Sequence, residues 1–297
     1  AGRRMGMDFS GKDGWSMYHG QKVPGFPQHP HRGFETISIA RQGLMDHSDS
    51  MGAKARFGRG DVQWMTAGKG IVHSEMFPLL DEEGPNTGEL YQIWINLPAE
   101  DKFAEPHFTM LWNEDIPRVH MNEQPGGEVE LALIAGSLPG MATPPAPPPK
   151  SWASRKDSDI LIATLRLGPG AWFELPPAKK GTNRTLYLIS GTGLAIGPHD
   201  VPERHYARVK PDTRLSLHAN DSECEILILQ ARPIGEPVAQ SGPFVMNDRR
   251  ELQQAFLDYR RTQFGGWPWK SDAPTHGSEP TRFAIHADGR REEPGSG

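Results

Sequence analysis

The chain has 297 residues, enough for about two domains of roughly 150 residues, each with its own hydrophobic core. Lys and Arg total 32 against 37 Asp and Glu, so the balance of −5 gives no basic footprint for direct nucleic-acid or membrane binding and leaves a protein partner open. No stretch approaches the roughly 18 apolar residues of a membrane-spanning helix. The single cysteine, Cys224, cannot close an internal disulfide, sits in an apolar run as core filler, and fits a reducing, cytoplasmic setting. The start, Ala1 to Met5, lacks both an initiator Met and the apolar middle of a secretion signal, so a fragment or processed product is expected. The tripeptides at Asn183 and Asn220 that match the glycosylation pattern are then read as chance.

Glycine (33) and proline (28) make about a fifth of the chain, and helical periodicity is scarce, which favours an all-β architecture of barrels or sandwiches. In chain order, residues 34–40 alternate as a strand, followed by turn residues Gln42-Gly43. Further strands are expected over Asp61 to Met65, Leu90 to Leu97 and Val129 to Ile134, separated by turns such as Gly58-Arg59-Gly60 and Ala67-Gly68-Lys69-Gly70. In the third of these, Gln92, Trp94 and Asn96 share one face. Pro139 to Lys150 reads as a stiff, exposed polyproline loop. A second set of strands follows: Ile160 to Leu167, Ala171 to Leu175, Thr185 to Ile189, Gly193 to Ile196, Leu215 to Leu217 and Glu225 to Gln230.

One helix is expected over residues 249–264. Asp248 and Glu251 form its capping pattern, Leu252, Ala255, Phe256 and Tyr259 share one face, and Gly265-Gly266 ends it. The organisation is therefore one β unit over residues 1–135, a second over 136–266 that includes the helix, and a polar, aperiodic tail over 267–297 expected to be disordered.

Two paired elements carry the chemistry. His29-Pro30-His31 is followed, 42 residues after His31, by His73-Ser74-Glu75. Residues i and i+2 of an extended chain point to one side, so each pair can aim two ligands into a barrel. Three imidazoles and a carboxylate suit Fe, Mn, Cu, Ni or Zn and not Ca, and four ligands leave positions open for small molecules. Glu35 has the same parity as His29 and His31, so spacing alone leaves it as an alternative acidic ligand. His19, His47, His107, His120, His199, His205 and His218 lack such pairing and are expected to have other roles.

At these residues the chain resembles the pirin family. The segments His29 to Thr36, Gly60 to Glu75 and Gly242 to Asn247 are similar to pirin motifs, and the likeness runs from about Gly25 to Gly265. Lys69 stands where many pirins carry Arg. The resemblance implies a bicupin: two tandem cupin barrels of the jelly-roll type with a short C-terminal helix. It implies one iron, as Fe(II), held in the first barrel by His29, His31, His73 and Glu75, with Glu35 left structural and no metal in the second barrel. It implies an activity of the quercetin 2,3-dioxygenase type on a flavonol, with Glu75 as general base. Phe34, Met65 and Trp94 are expected either to fill the barrel core or to line the cavity, with the core role favoured, and Gln63 and Gln92 would steer hydrogen bonds behind the ligands. The other activity it implies is that of an iron-dependent, redox-sensing transcriptional co-regulator acting through a protein partner, which extends the setting to the nucleus.

Overall fold

The structure, a computed structural model, describes residues 7–8, 17–18, 23–121 and 127–295. The chain divides into two compact units, one formed by residues 1–113 and 236–297 and the other by 114–235.

The first unit begins with a two-residue pair, β1 (Met7–Asp8) and β2 (Met17–Tyr18). It continues with β3 (Gly25–His31), β4 (Phe34–Gln42), β5 (Leu44–Asp49), β6 (Lys54–Gly58), β7 (Asp61–Thr66), β8 (Ile71–Met76), β9 (Glu89–Asn96) and β10 (His107–Leu111). The strands sort into two antiparallel sheets. One has the order β10-β7-β4-β9 and the other contains β6-β5-β8-β3. Inward residues of both sheets, among them Met45, Ala55, Phe57, Met65, Phe108 and Met110, form the core between them. The chain crosses from one sheet to the other between β3 and β4, at Gly33. Its φ of +83° suits glycine, and a Cβ there would lie 2.1 Å from the carbonyl oxygen of Val245.

The second unit contains β11 (Arg118–Met121), β12 (Val129–Gly136), β13 (Leu161–Leu167), β14 (Trp172–Leu175), β15 (Asn183–Ser190), β16 (Leu194–Ile196), β17 (His199–Val201), β18 (Tyr206–Val209), β19 (Leu215–Ala219) and β20 (Cys224–Ala231). Its sheets run β11-β12-β13-β20-β15-β18 and β14-β19-β16-β17. The core is apolar throughout, built from Leu131, Leu133, Leu165, Leu186, Leu188, Ile226 and Ile228 with Cys224 among them. Strand β12, placed by sequence at the end of the first unit, pairs with β13 and belongs here. The proline-rich loop is not uniformly exposed, because Pro144 and Pro148 are buried and Pro148 accepts hydrogen bonds from Ser151 and Ser154.

The chain then returns to the first unit, as β21 (Ala239–Ser241), β22 (Phe244–Met246), α1 (Arg249–Thr262), β23 (Phe283–Ile285) and β24 (Arg291–Glu292). The helix starts as its capping residues require: Asp248 accepts from the Glu251 amide at 2.8 Å, and Glu251 accepts from the Asn247 amide at 2.8 Å. It stops two residues before the expected end, because Gln263 and Phe264 adopt the left-handed conformation that glycine was expected to supply later. Leu252 and Ala255 bury against Phe244 and Met246, so the helix belongs to the first unit and not, as expected, to the second.

The tail expected to lack order is docked along the first unit. β23 pairs with β6 and extends that sheet to β24-β23-β6-β5-β8-β3. Periodicity could not disclose this, because the segment is held mainly by polar groups of other strands. Arg56 and Asp46, both fully buried, form a two-pronged ion pair with N–O distances of 2.7 Å. Arg56 also donates to the carbonyls of Gly277 and Glu279, and the amide of His276 donates to Asp46. Trp269 donates to the carbonyl of Asp49, and Arg282 pairs with buried Asp61.

Replacing Arg56 by Met should therefore cost about 3–5 kcal/mol, since it strands a buried carboxylate. The exposed pair Arg214–Glu174, broken by Arg214→Met, should cost no more than about 1 kcal/mol. Urea midpoints at constant slope compare the two. Equal losses would mean that the buried pair does not anchor the tail.

Candidate metal centre

Strands β3 and β8 lie side by side, and their antiparallel register sets His29 opposite His73, with His31 opposite Ile71. A register shift between Phe26 and His29 precedes the pair. The ligand-capable atoms of His29, His31 and His73 lie within 4.8 Å of one another. The rings are 4.4–4.9 Å apart between centroids. This is the one group of its kind among the described residues.

The hydrogen bonding of the three rings leaves nitrogens for a further partner. His29 places Nδ1 2.8 Å from the carbonyl of Pro27, which fits Nδ1–H as donor and frees Nε2 for a ligand. His31 Nδ1 and both nitrogens of His73 are buried and have no hydrogen-bond partner among the described residues. Buried polar atoms left this way are costly unless something binds them. Burial pushes all three imidazoles below the usual 6.5, and further for His31 and His73, where neighbouring imidazoles add to the effect. Neutral rings with free lone pairs are what a divalent metal requires. The residues present therefore fit a metal ion.

Glu75 is not part of the three-histidine group. It lies two residues beyond His73 on β8, buried, with its carboxylate held by other partners. Ser38 donates to it at 3.0 Å, and the Gln92 amide donates to both oxygens at 3.0 and 2.9 Å. Glu35 sits elsewhere. It accepts a 2.6 Å bond from Thr66, its neighbour across β4 and β7, and alternates in strand parity with Phe34, Thr36 and Ser38. The parity shared with His29 and His31 does not carry through Gly33, where the chain changes sheets.

Of the expected lining residues, Phe34 and Trp94 stand at the cluster, their rings 5.0 and 5.6 Å from that of His31 and 4.3 Å from each other. Trp94 is 42% exposed and Gln92 is exposed as well, so this face of β9 opens to solvent. Met65 is buried in the core. Gln63 leaves Nε2 buried without a hydrogen-bond partner among the described residues. His47, expected to have a role other than ligand, lies outside the three-histidine group, its ring 5.5 Å from that of His73 and its Nε2 3.2 Å from Asp49. His107, His120, His199, His205 and His218 lie outside the cluster, and His19 lies outside the described residues. Lys69 forms an exposed ion pair with Glu105.

A family model described as Pirin matches residues 4–95, and another, the pirin C-terminal cupin domain, matches 162–265. Human pirin is 35% identical over 263 residues, covering 86% of this chain and 83% of its own length. The chain belongs to the pirin family. A protein of Pseudomonas aeruginosa, provisionally named a quercetin 2,3-dioxygenase, is 39% identical over 245 residues, covering 82% of this chain and 80% of its own. The crystal structure of a quercetin 2,3-dioxygenase from Acinetobacter baumannii superposes with a TM-score of 0.70 at 28% identity, covering 82% of this chain and 81% of that one. This pirin accordingly has the expected all-β architecture of two cupin domains with a short C-terminal helix. No helix among its described residues is long and apolar enough to cross a membrane.

The depressed imidazoles set a pH dependence. In the metal-free protein, His31 and His73 stay neutral below 6.5 while their unfolded counterparts take up protons. The unfolded state then binds more protons, so stability is full above 6.5 and falls as pH drops below it. The melting temperature of chelator-treated protein should be lower at pH 5.5 than at pH 7.5. His73→Leu should flatten that slope, and an unchanged slope would count against buried neutral imidazoles.

Proposed function

We propose that this pirin is a mononuclear-metal dioxygenase of the quercetin 2,3-dioxygenase type. It would hold Fe(II) through His29, His31, His73 and Glu75, and open a flavonol with one O2 and release of carbon monoxide. Mn, Cu, Ni or Zn would be accepted by the same donor set. The observation that carries this reading is the three-imidazole group, with His31 and His73 buried and holding unpartnered nitrogens, beside an aromatic wall open to solvent. The names of the Pseudomonas and Acinetobacter relatives add weight to the substrate class.

When bound, the ion would supply Lewis-acid and redox chemistry toward the substrate's 3-oxygen and dioxygen. Trp94 and Phe34, tilted at 34° to each other, offer planar surfaces against which flat fused rings can rest. The Glu75 carboxylate is the proton acceptor for the 3-hydroxyl. Its burial keeps bulk water from competing, and the Ser38 and Gln92 donors keep it oriented. The neutral imidazoles do not compete for that proton, because burial disfavours their charged forms.

Iron-loaded protein should bleach quercetin under air and release carbon monoxide. Glu75→Gln should lower kcat by about 100-fold or more, while Glu35→Gln, whose site lies in the Thr66 contact, should retain turnover. Loss of the flavonol absorption band together with gas analysis reads both. Metal-loaded wild type that leaves quercetin unchanged would overturn the proposal.

A further inference from the structure

Two of the imidazoles, His31 and His73, are buried and half-buried His29 is held at the Pro27 carbonyl, but Glu75 has a different kind of restraint. Its carboxylate accepts three hydrogen bonds from two side chains on the opposite sheet, Ser38 on β4 and Gln92 on β9. These two residues face each other across the strands, and the Gln92 amide also reaches Ser38 Oγ at 3.3 Å. The amide cannot turn over without loss. Its Nε2 faces the carboxylate, and its Oε1 accepts from Trp94 Nε1 at 3.3 Å. A flipped amide would set an oxygen against a carboxylate and a donor against a donor. Of these residues, Ser38 and Glu75 are buried, whereas Gln92 and Trp94 are exposed at the opening.

We infer that Gln92 is a positioning residue that holds the Glu75 carboxylate off the three-histidine group, making Glu75 a releasable ligand controlled from the solvent face of β9. This rests on the metal-site reading given above and adds a restraint on its fourth ligand. The unsatisfied nitrogens of the cluster and the satisfied oxygens of Glu75 are two sides of one arrangement. Moving Glu75 toward the three imidazoles works against the Gln92 and Ser38 bonds, and whatever contacts Gln92 or Trp94 from the opening changes that balance.

The consequence has an unusual sign, because removing the restraint should tighten metal binding. Mn(II) affinity, read from the resonance spectrum of free hydrated Mn(II), needs no turnover. Gln92→Met keeps similar volume and deletes the amide, and should bind Mn(II) more tightly by several-fold, on the order of tenfold for hydrogen bonds to a charged group. Ser38→Ala should shift affinity in the same direction by less, and it serves if the Met variant does not fold. In a Glu75→Gln background the Gln92→Met gain should vanish. Equal or weaker Mn(II) binding by both single variants, or a gain that persists without the Glu75 carboxylate, overturns the inference and leaves the dioxygenase proposal standing. Wild type that binds no Mn(II), Fe(II) or Ni(II) overturns both.

Discussion

The pairing of β3 with β8 is the constraint on which the site depends. Two antiparallel strands put one residue of each directly opposite the other, and here that register sets His29 against His73. A slip of one residue would turn His73 and Glu75 away from the interior together, since both lie on the same face of β8. The register is also fixed from the other side, where β5 pairs with β8 and sets Asp49 against His73 and His47 against Glu75. β8 is thus held between two strands whose inward residues are themselves polar.

That polarity shapes the energetics of the unit. A barrel interior normally gains stability from apolar burial, as the second unit does with its leucines and isoleucines. The first unit instead buries Ser38, His47, Asp49, His73 and Glu75 within one barrel. Most of these find partners inside it: Asp49 accepts from the amides of Met51 and Ala53, and Glu75 from Ser38 and Gln92. His31 and His73 of the cluster are among those left short of partners, and their nitrogens lie grouped with those of His29, which makes the cluster the place where an added ion is most favourable.

How far the sequence could be read follows from the same chemistry. Residues 34–40, 61–65 and 90–97 read as strands because their apolar positions alternate; the first two lie within β4 and β7, and the third runs one residue past the end of β9. Strands β5 and β6 gave no such signal, since Asp46, His47, Asp49 and Arg56 occupy buried positions that the alternation rule assigns to apolar side chains. The three histidines were legible because the two pairs are short and local. Glu35 stayed ambiguous because counting by twos assumes an unbroken strand, and Gly33 breaks it. The tail after Lys270 looked structureless because its anchors, Arg56, Asp46 and Asp61, lie more than 200 positions upstream. Neither periodicity nor composition registers a partner at that distance.

The asymmetry between the units has a physical logic. The chain's last sixty or so residues fold back onto the first unit, the one with the polar interior, and supply what polar side chains there lack. Gly277 and Glu279 contribute carbonyls to Arg56, and His276 contributes its amide to Asp46 and its ring to the His47 carbonyl. The carbonyl of Val245 joins that of Gly33 and the side chain of Asn96 around the Lys102 ammonium, which burial lowers to about 8. The second unit supplies backbone partners for its buried polar groups from its own chain, as where Gln230 donates to the Asp159 carbonyl and Arg184 to that of Pro176. A barrel with a polar interior is stabilised here by chain drawn from far along the sequence, and the metal-capable histidines lie next to that support, His73 beside the His47 whose carbonyl the tail engages.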